Sequence, residues 1–290
     1  MKSKYDNWDI SLIGNAHLTA GREKQDYSYS KVYKDKAIAI VADGHGGEKY
    51  IRSKRGSELA VKSAIPALDD FAKNVRAQSA VDENNYSQII KQLTDRIVLT
   101  WKESVIEDAK EEPFTEEELS KLRILFKSNE LSEHDIETTY GSTLIAFLIT
   151  KEYTLGIQIG DGKCFIVDDS GLLIQAIPDD EKCFLNTTTS LSDKNAYDEF
   201  RHCFWQTEKK PLACVFVSTD GIDALYGHGE HIYNFFQTLF CALMENNKID
   251  YLKELTELLK AISPSSDDIS IACIYDKNNK VDGKEKNDET

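Results

Sequence analysis

The sequence predicts an α+β fold, a β-sandwich of two antiparallel sheets flanked by helices in α-β-β-α layers. Three observations lead to it. Strand-like and helix-like stretches are segregated along the chain instead of alternating. The apolar runs between residues 142 and 177 follow one another at hairpin spacing, which argues for antiparallel pairing over βαβ crossovers. The helical blocks gather their apolar residues on one face, and such a face needs another layer to lie on.

In chain order, "DYSYSKVY" (26–33) and "KAIAIVA" (36–42) are the first expected strands. The second is apolar at every position from Ala37 to Ala42, as a strand covered on both faces would be. Residues 48–74 hold a helix that Pro66 should shorten, because proline lacks the N–H a helix interior needs. "SQIIKQLTDRIVLTWKESVIEDA" (87–109) places Ile90, Leu93, Ile97, Trp101 and Val105 on one face. "TEEELSKLRILF" (115–126) opens with Thr115 as a cap and acids in the first turn. "STLIAFLI", "YTLGIQI" and "CFIVDD" are strands, and "LLIQAI" is a hairpin partner of the last across Ser170-Gly171. "ACVFVS" is a strand, "HIYNFFQTLFCALME" and "DYLKELTELLKAIS" are helices, and "DISIACIY" closes the core. The second of those helices offers Leu252, Leu255, Leu259 and Ile262. No repeat or linker divides the chain, so residues 1–275 read as one domain and the polar 276–290 as a disordered tail.

Composition narrows the function. A formal charge of −15, from 35 Lys and Arg against 50 Asp and Glu, repels nucleic-acid phosphates and anionic membranes. "MKSKYDNWDI" lacks the apolar core of a signal peptide, and no stretch approaches a transmembrane length. The six cysteines are scattered without a C-x-x-C pair, and Cys164, Cys214 and Cys273 sit within strand-like runs. Reduced cysteines in a cytoplasmic protein are expected.

The informative feature is where the aspartates fall. Asp43 follows "AIAIVA", Asp161 follows "TLGIQIG", Asp220 follows "ACVFVST", and Asp267 and Asp268 precede "ISIACIY". Any one Asp-Gly is most simply a turn. A carboxylate at the end of a core strand is costly, however, unless a cation or hydrogen bonds compensate it. Strand ends in a sandwich converge, and converging carboxylates repel one another unless hard divalent cations lie between them. Oxygen ligands of this kind suit magnesium or manganese, and the cysteines and histidines show no zinc spacing. The segment "DGHGG" fits neither G-x-x-x-x-G-K-[ST] nor G-x-G-x-x-G, so a phosphate-cradling loop is the poorer reading. Gly141-Ser142-Thr143 reads as a tight turn without chemistry, and His17, His134, His202, His228 and His231 as structural or exposed.

The ordered set "VADGHGG", "TYGSTL", "IQIGDG", "VSTDGI" and "SDDISIACIY" resembles the metal-dependent protein phosphatases of type 2C, and most closely their compact bacterial branch. The resemblance spans Gly14 to Tyr275. It implies a sandwich flanked by helices and hydrolysis of phosphoserine and phosphothreonine in proteins with Mn2+ or Mg2+, two ions and a possible third. Asp43 would bridge two ions, the Gly44 carbonyl would ligate one, and Asp220 and Asp267 the other. Asp161 would help hold a third, and Asp26 would serve the second site. His45 would be the general acid and Arg22 the phosphate grip. Two such ions activate water for in-line attack at phosphorus, so no protein nucleophile is expected. Arginine offers phosphate a bidentate fork, histidine titrates near neutrality, and Gly46 and Gly47 would let the backbone pass close to the metals.

The chain departs from the family pattern at Gln25, where an acid usually precedes Asp26, at Gly162-Lys163, where Ser-Arg is common, and at Asp268, where many members carry Asn. Segment 178–210 is expected to cover part of the cleft. Two other readings stand beside an active, monomeric protein phosphatase: a weak or inactive member that binds phosphoproteins, for which Gln25 speaks, and a phosphatase of small metabolites.

Overall fold

The computed structural model describes residues 4–19, 21–77, 86–184, 187–227, 229–245, 248–262 and 267–279. From residue 280 onward the expected polar tail lies outside the described residues, as does the Ile262 side chain.

Two five-stranded sheets form the sandwich. One runs in the order β2 (Tyr27–Val32), β3 (Lys36–Ala42), β4 (Leu144–Thr150), β5 (Tyr153–Ile159) and β8 (Arg201–Gln206). The other runs β1 (Tyr5–Leu12), β10 (Ile269–Asp276), β9 (Leu212–Ser218), β6 (Lys163–Asp168) and β7 (Leu173–Gln175). Every neighbouring pair is antiparallel. The hairpin across Ser170-Gly171 forms as expected, with the Asp168 carboxylate accepting from the Ser170 and Leu172 amides.

The run from Ala37 to Ala42 is at most 1% exposed because both faces of β3 are covered. Ala37, Ala39 and Val41 meet β9 and β10 residues such as Val215, Val217, Ala272 and Ile274 between the sheets. Ile38, Ile40 and Ala42 point the other way, onto α2 (Ser53–Ala77) and α3 (Tyr86–Glu111). The expected face of α3, from Ile90 to Val105, is buried there. On the opposite side α7 (Glu230–Met244) and α8 (Lys248–Ile262) cover the second sheet through Phe236, Leu239, Phe240, Leu255 and Leu259. Smaller helices fill the connections: α1 (Asn15–Thr19), α4 (Glu116–Phe126), α5 (Glu133–Thr139) and α6 (Gly221–Tyr226). Thr115 closes a capping box with Glu118 at α4, and Ser132 does the same with Asp135 at α5. No described helix is long and apolar enough to cross a membrane, and all six cysteines are free thiols.

Three features differ from the sequence expectation. Pro66 does not shorten its helix: α2 continues through it from Ser53 to Ala77, with Pro66 on the exposed face. The strands β1 and β8 have no apolar run to announce them. Both are edge strands, drawn into place by a buried neighbour, with β1 pairing from Tyr5↔Asp276 to Leu12↔Ile269. Polar residues inside β1 also have a use, since Asn7 and Asp9 bond Ser30 of β2 and tie the two sheets together at that edge.

Candidate metal centre

The register brings the predicted carboxylates to one end of the sandwich. Val41 lies opposite Ile145, and Leu144 lies opposite Ile159. In the other sheet Ser218 lies opposite both Lys163 and Ile271. The chain therefore leaves β3 at Asp43, crosses between sheets at Asp161, leaves β9 toward Asp220 and enters β10 from Asp267 at one shared edge. Carboxylate oxygens of Asp43, Asp161 and Asp220 all lie within 4.8 Å of one another.

Each member of this trio is fixed by its own support. The Asp43 amide donates to the Thr143 hydroxyl (3.0 Å), and the Asp43 carbonyl accepts from the Thr143 amide (2.8 Å). Gly141-Ser142-Thr143, read from sequence as a plain turn, is thus the clamp that holds Asp43, and Ser142 bridges Gly44. Asp161 receives the Thr188 hydroxyl, and the preceding Gly160 amide donates to Thr189 (2.9 Å). Asp220 begins α6, where its carbonyl accepts from the Asp223 amide. Crowding demands glycine at position 44, not at 46 as the sequence suggested. A Cβ on Gly44 would stand 2.5 Å from the Ser53 carbonyl oxygen and 2.6 Å from that of Gln25, whereas Gly46 has open space and Gly47 is needed for its positive φ.

The other predicted residues fall around the trio. Asp26 is buried and accepts the Thr219 hydroxyl at 2.7 Å. Asp267 is turned toward His17, with Oδ1 3.4 Å from the imidazole Nε2, and it also accepts the Asp268 amide. Asp268 is buried and accepts the amides of Gly14 and Gln25 and a contact from His17 Nδ1. The Gln25 side chain donates to Ser53 Oγ, while its Oε1 is buried with no partner among the described residues. His45 is buried with its amide on the Gly141 carbonyl and its ring edge-on to Tyr50 at 5.0 Å. Arg22 is exposed, its amide bonded to the His17 carbonyl. Sequence reasoning missed His17, Thr143, Thr188 and Thr219. Nothing local marks them, since each acts through a partner distant in sequence.

The electrostatics are those of a site short of positive charge. Burial raises Asp43 well above the usual carboxylate range, and Asp26, Asp220, Asp267 and Asp161 push it further. Burial likewise raises Asp26, opposed by the Thr219 hydrogen bond and reinforced by Asp268, Asp220 and Asp267. Asp220 is lifted to about 7 by burial and by Asp161 and Asp267, although a hydrogen bond with Asp43 works the other way. Burial raises Asp161 also, against the pull of Lys163 and Arg201. A cation among these carboxylates would relieve their repulsion. An all-oxygen cluster of this charge fits Mn2+ or Mg2+. His45 behaves oppositely: burial, then Lys49, lower it to about 4.

Of segment 178–210, the stretch from Asp179 to Phe184 borders the carboxylates. Asp179, Asp180, Cys183 and Phe184 line a cavity of about 590 Å³ together with Asp161 and Asp220. Lys163 is held by Asp179 (2.7 Å) and Asp223 (3.5 Å), and Arg201 donates to the Gly160 and Pro178 carbonyls.

The family model for protein phosphatase 2C matches residues 13–260. No curated protein matches the sequence. Among solved structures, a bacterial serine phosphatase is 13% identical over 95% of this chain and 99% of its own, with a TM-score of 0.57. The catalytic domain of the serine/threonine phosphatase PstP in complex with two manganese ions is 17% identical over 93% of this chain and 97% of its own, with a TM-score of 0.55. Stp1 from Staphylococcus aureus is 12% identical over 93% of this chain and 94% of its own, with a TM-score of 0.54.

Raised carboxyls make a pH prediction for the metal-free protein. Asp220 titrates at about 4 when unfolded and at about 7 when folded. Protonation therefore favours the fold, and that contribution is complete below about 4 and lost as pH climbs through 7. Metal-free protein is expected to melt lower at pH 8 than at pH 5.5, and added Mn2+ to raise the melting temperature more at pH 8. Equal Mn2+ shifts at both pH values, in calorimetric scans, would contradict the assignment.

Proposed function

The chain belongs to the protein phosphatase 2C family, metal-dependent protein phosphatases that use Mn2+ or Mg2+, and we propose that it is an active serine/threonine phosphatase with its centre on the Asp43 cluster. The observation that carries this reading is the convergence of Asp43, Asp161 and Asp220 within 4.8 Å on rigid strand ends. Asp43, the Gly44 carbonyl, Asp220 and Asp267 would hold two ions, Asp161 would contribute to a third, and Asp26 would support them from the buried side. When bound, such ions supply an activated water and a clamp on the oxygens of an in-line displacement, with no covalent intermediate on the protein.

The chain's own residues then orient the ester and govern the proton. The Thr143 clamp keeps Asp43 from shifting as charge builds at phosphorus, which is the preorganisation catalysis needs. Arg22, exposed ahead of Asp26, would reach phosphate oxygens from the solvent side. His45 would return a proton to the departing alkoxide. In its seat against Tyr50, burial and then Lys49 lower its pKa to about 4, which favours the neutral ring. The wall carrying Asp179, Asp180 and the exposed Phe184 suits a polypeptide laid across the opening better than a small free anion. Free thiols and an acidic surface agree with a cytoplasmic, monomeric signalling enzyme acting on phosphoproteins.

The competing reading, an inactive phosphoprotein-binding member, is favoured by Gln25 alone. Asp43→Asn and Asp220→Asn are expected to cut Mn2+-dependent hydrolysis of p-nitrophenyl phosphate and phosphopeptides by at least about 100-fold. Wild-type turnover no higher than that of these variants would overturn the protein-phosphatase reading, and calorimetry with Mn2+ would then show whether any ion is held. His45→Gln is expected to slow an alkyl phosphate, whose leaving group needs a proton, much more than an aryl phosphate. Equal losses on the two substrates would remove His45 from proton transfer. Arg22→Ala is expected to raise KM for a phosphopeptide about 10-fold with Mn2+ affinity unchanged. An unaltered KM would place the phosphate grip elsewhere.

A further inference from the structure

The loop before β2 holds a histidine whose surroundings are those of a ligand. His17 sits in the short helix α1, and its side chain is only 9% exposed. Its Nδ1 lies 3.0 Å from Asp268 Oδ1. Asp268 is otherwise met by backbone amides, those of Gly14 at 2.7 Å, Gln25, and Asp26 at 3.4 Å. A carboxylate surrounded by donors is an acceptor, so the His17 hydrogen is on Nδ1. With Nδ1 engaged by Asp268, Nε2 is the ring atom left to act as a ligand.

Nε2 faces Asp267 Oδ1 at 3.4 Å. A divalent cation placed between them would take Nε2 and Oδ1 together as ligands, displacing any proton they share. Metal bonds of about 2.1 Å to nitrogen and oxygen, set at right angles, put the two donor atoms about 3 Å apart. The 3.4 Å separation is within a small adjustment of that. Asp267 is 55% exposed, which leaves the cation a way in from the cleft. Asp268 completes the arrangement in which a carboxylate fixes the tautomer and aim of a metal-bound histidine.

We infer that His17 is an imidazole ligand to the divalent cation held by Asp267, with Asp268 as the carboxylate that orients it. The inference rests on the reading of Asp267 as a metal ligand. It means that this centre is not all-oxygen. Gln25 supplies no charge on one side, and a neutral nitrogen enters on the other. A nitrogen ligand shifts preference from Mg2+, which demands oxygen and water, toward Mn2+.

The test is pulsed electron paramagnetic resonance of the full chain loaded with Mn2+. Bound Mn2+ is expected to show coupling to a histidine nitrogen, recognised by its change when histidine is labelled with 15N. The coupling should be lost in His17→Gln and kept in His45→Gln. His17→Gln should also lose about 10-fold or more of its Mn2+ affinity with little change for Mg2+. Stoichiometric Mn2+ binding without histidine coupling overturns the inference and leaves the phosphatase centre standing, with His17 as a bridge between two carboxylates. Coupling that survives in His17→Gln and vanishes in His45→Gln overturns it as well. Absence of any Mn2+ binding overturns both this inference and the reading beneath it. If His17→Gln does not fold by circular dichroism, wild type and His45→Gln still decide between the two histidines.

Discussion

Mutual repulsion among buried carboxylates is the constraint around which this protein is arranged. Asp26, Asp43, Asp161 and Asp220 are all held above their ordinary pKa, and burial is the first cause in each. A chain free to relax would turn these side chains toward water. Here the backbone that carries them is held: Asp43, Asp161 and Asp220 follow buried strands, and Asp26, itself buried, is bonded by the Thr219 hydroxyl. The energy of the core thus holds together a group of charges that would otherwise separate, an arrangement that a divalent cation would make favourable.

Asp268 does for the N-terminal segment what the strands do for the rest. It gathers the amides of Gly14, Gln25 and Asp26 and the His17 ring around one buried carboxylate at the start of β10. That one side chain fixes the position of Asp26 beside Thr219, the approach of Gln25 to Gly44, and the aim of His17 at Asp267. The extra negative charge noted at this position is therefore structural. It is met by hydrogen-bond donors, and Asp26 still feels it. Glycine at position 44 is the matching requirement on the other side, where two carbonyls approach too closely for any side chain.

Much of this was legible in the chain. Runs such as "KAIAIVA" and "DISIACIY" are apolar because both faces of their strands are covered, and strand identity followed directly. Helix faces at steps of three and four were equally plain, since the packing that selects them repeats within one element. The aspartates were conspicuous because a charge at the end of such a run needs a reason. The edge strands β1 and β8 were not legible, because their pairing is decided by a neighbour's free edge and not by their own composition. Pro66 misled for a related reason: the cost of proline in a helix depends on which face it occupies, and that is a property of the packing.

By itself the sequence determined the layered architecture, the acidic strand ends and the ion chemistry they invite, since each of these is written in residues close together in the chain. Only the tertiary structure decided which supports hold them. The Thr143 clamp on Asp43 spans 100 residues, the Thr219 bond to Asp26 spans 193, and the His17 contact with Asp268 spans 251. No local pattern encodes such partners, because a threonine or histidine becomes a clamp or a ligand only where the fold sets it down.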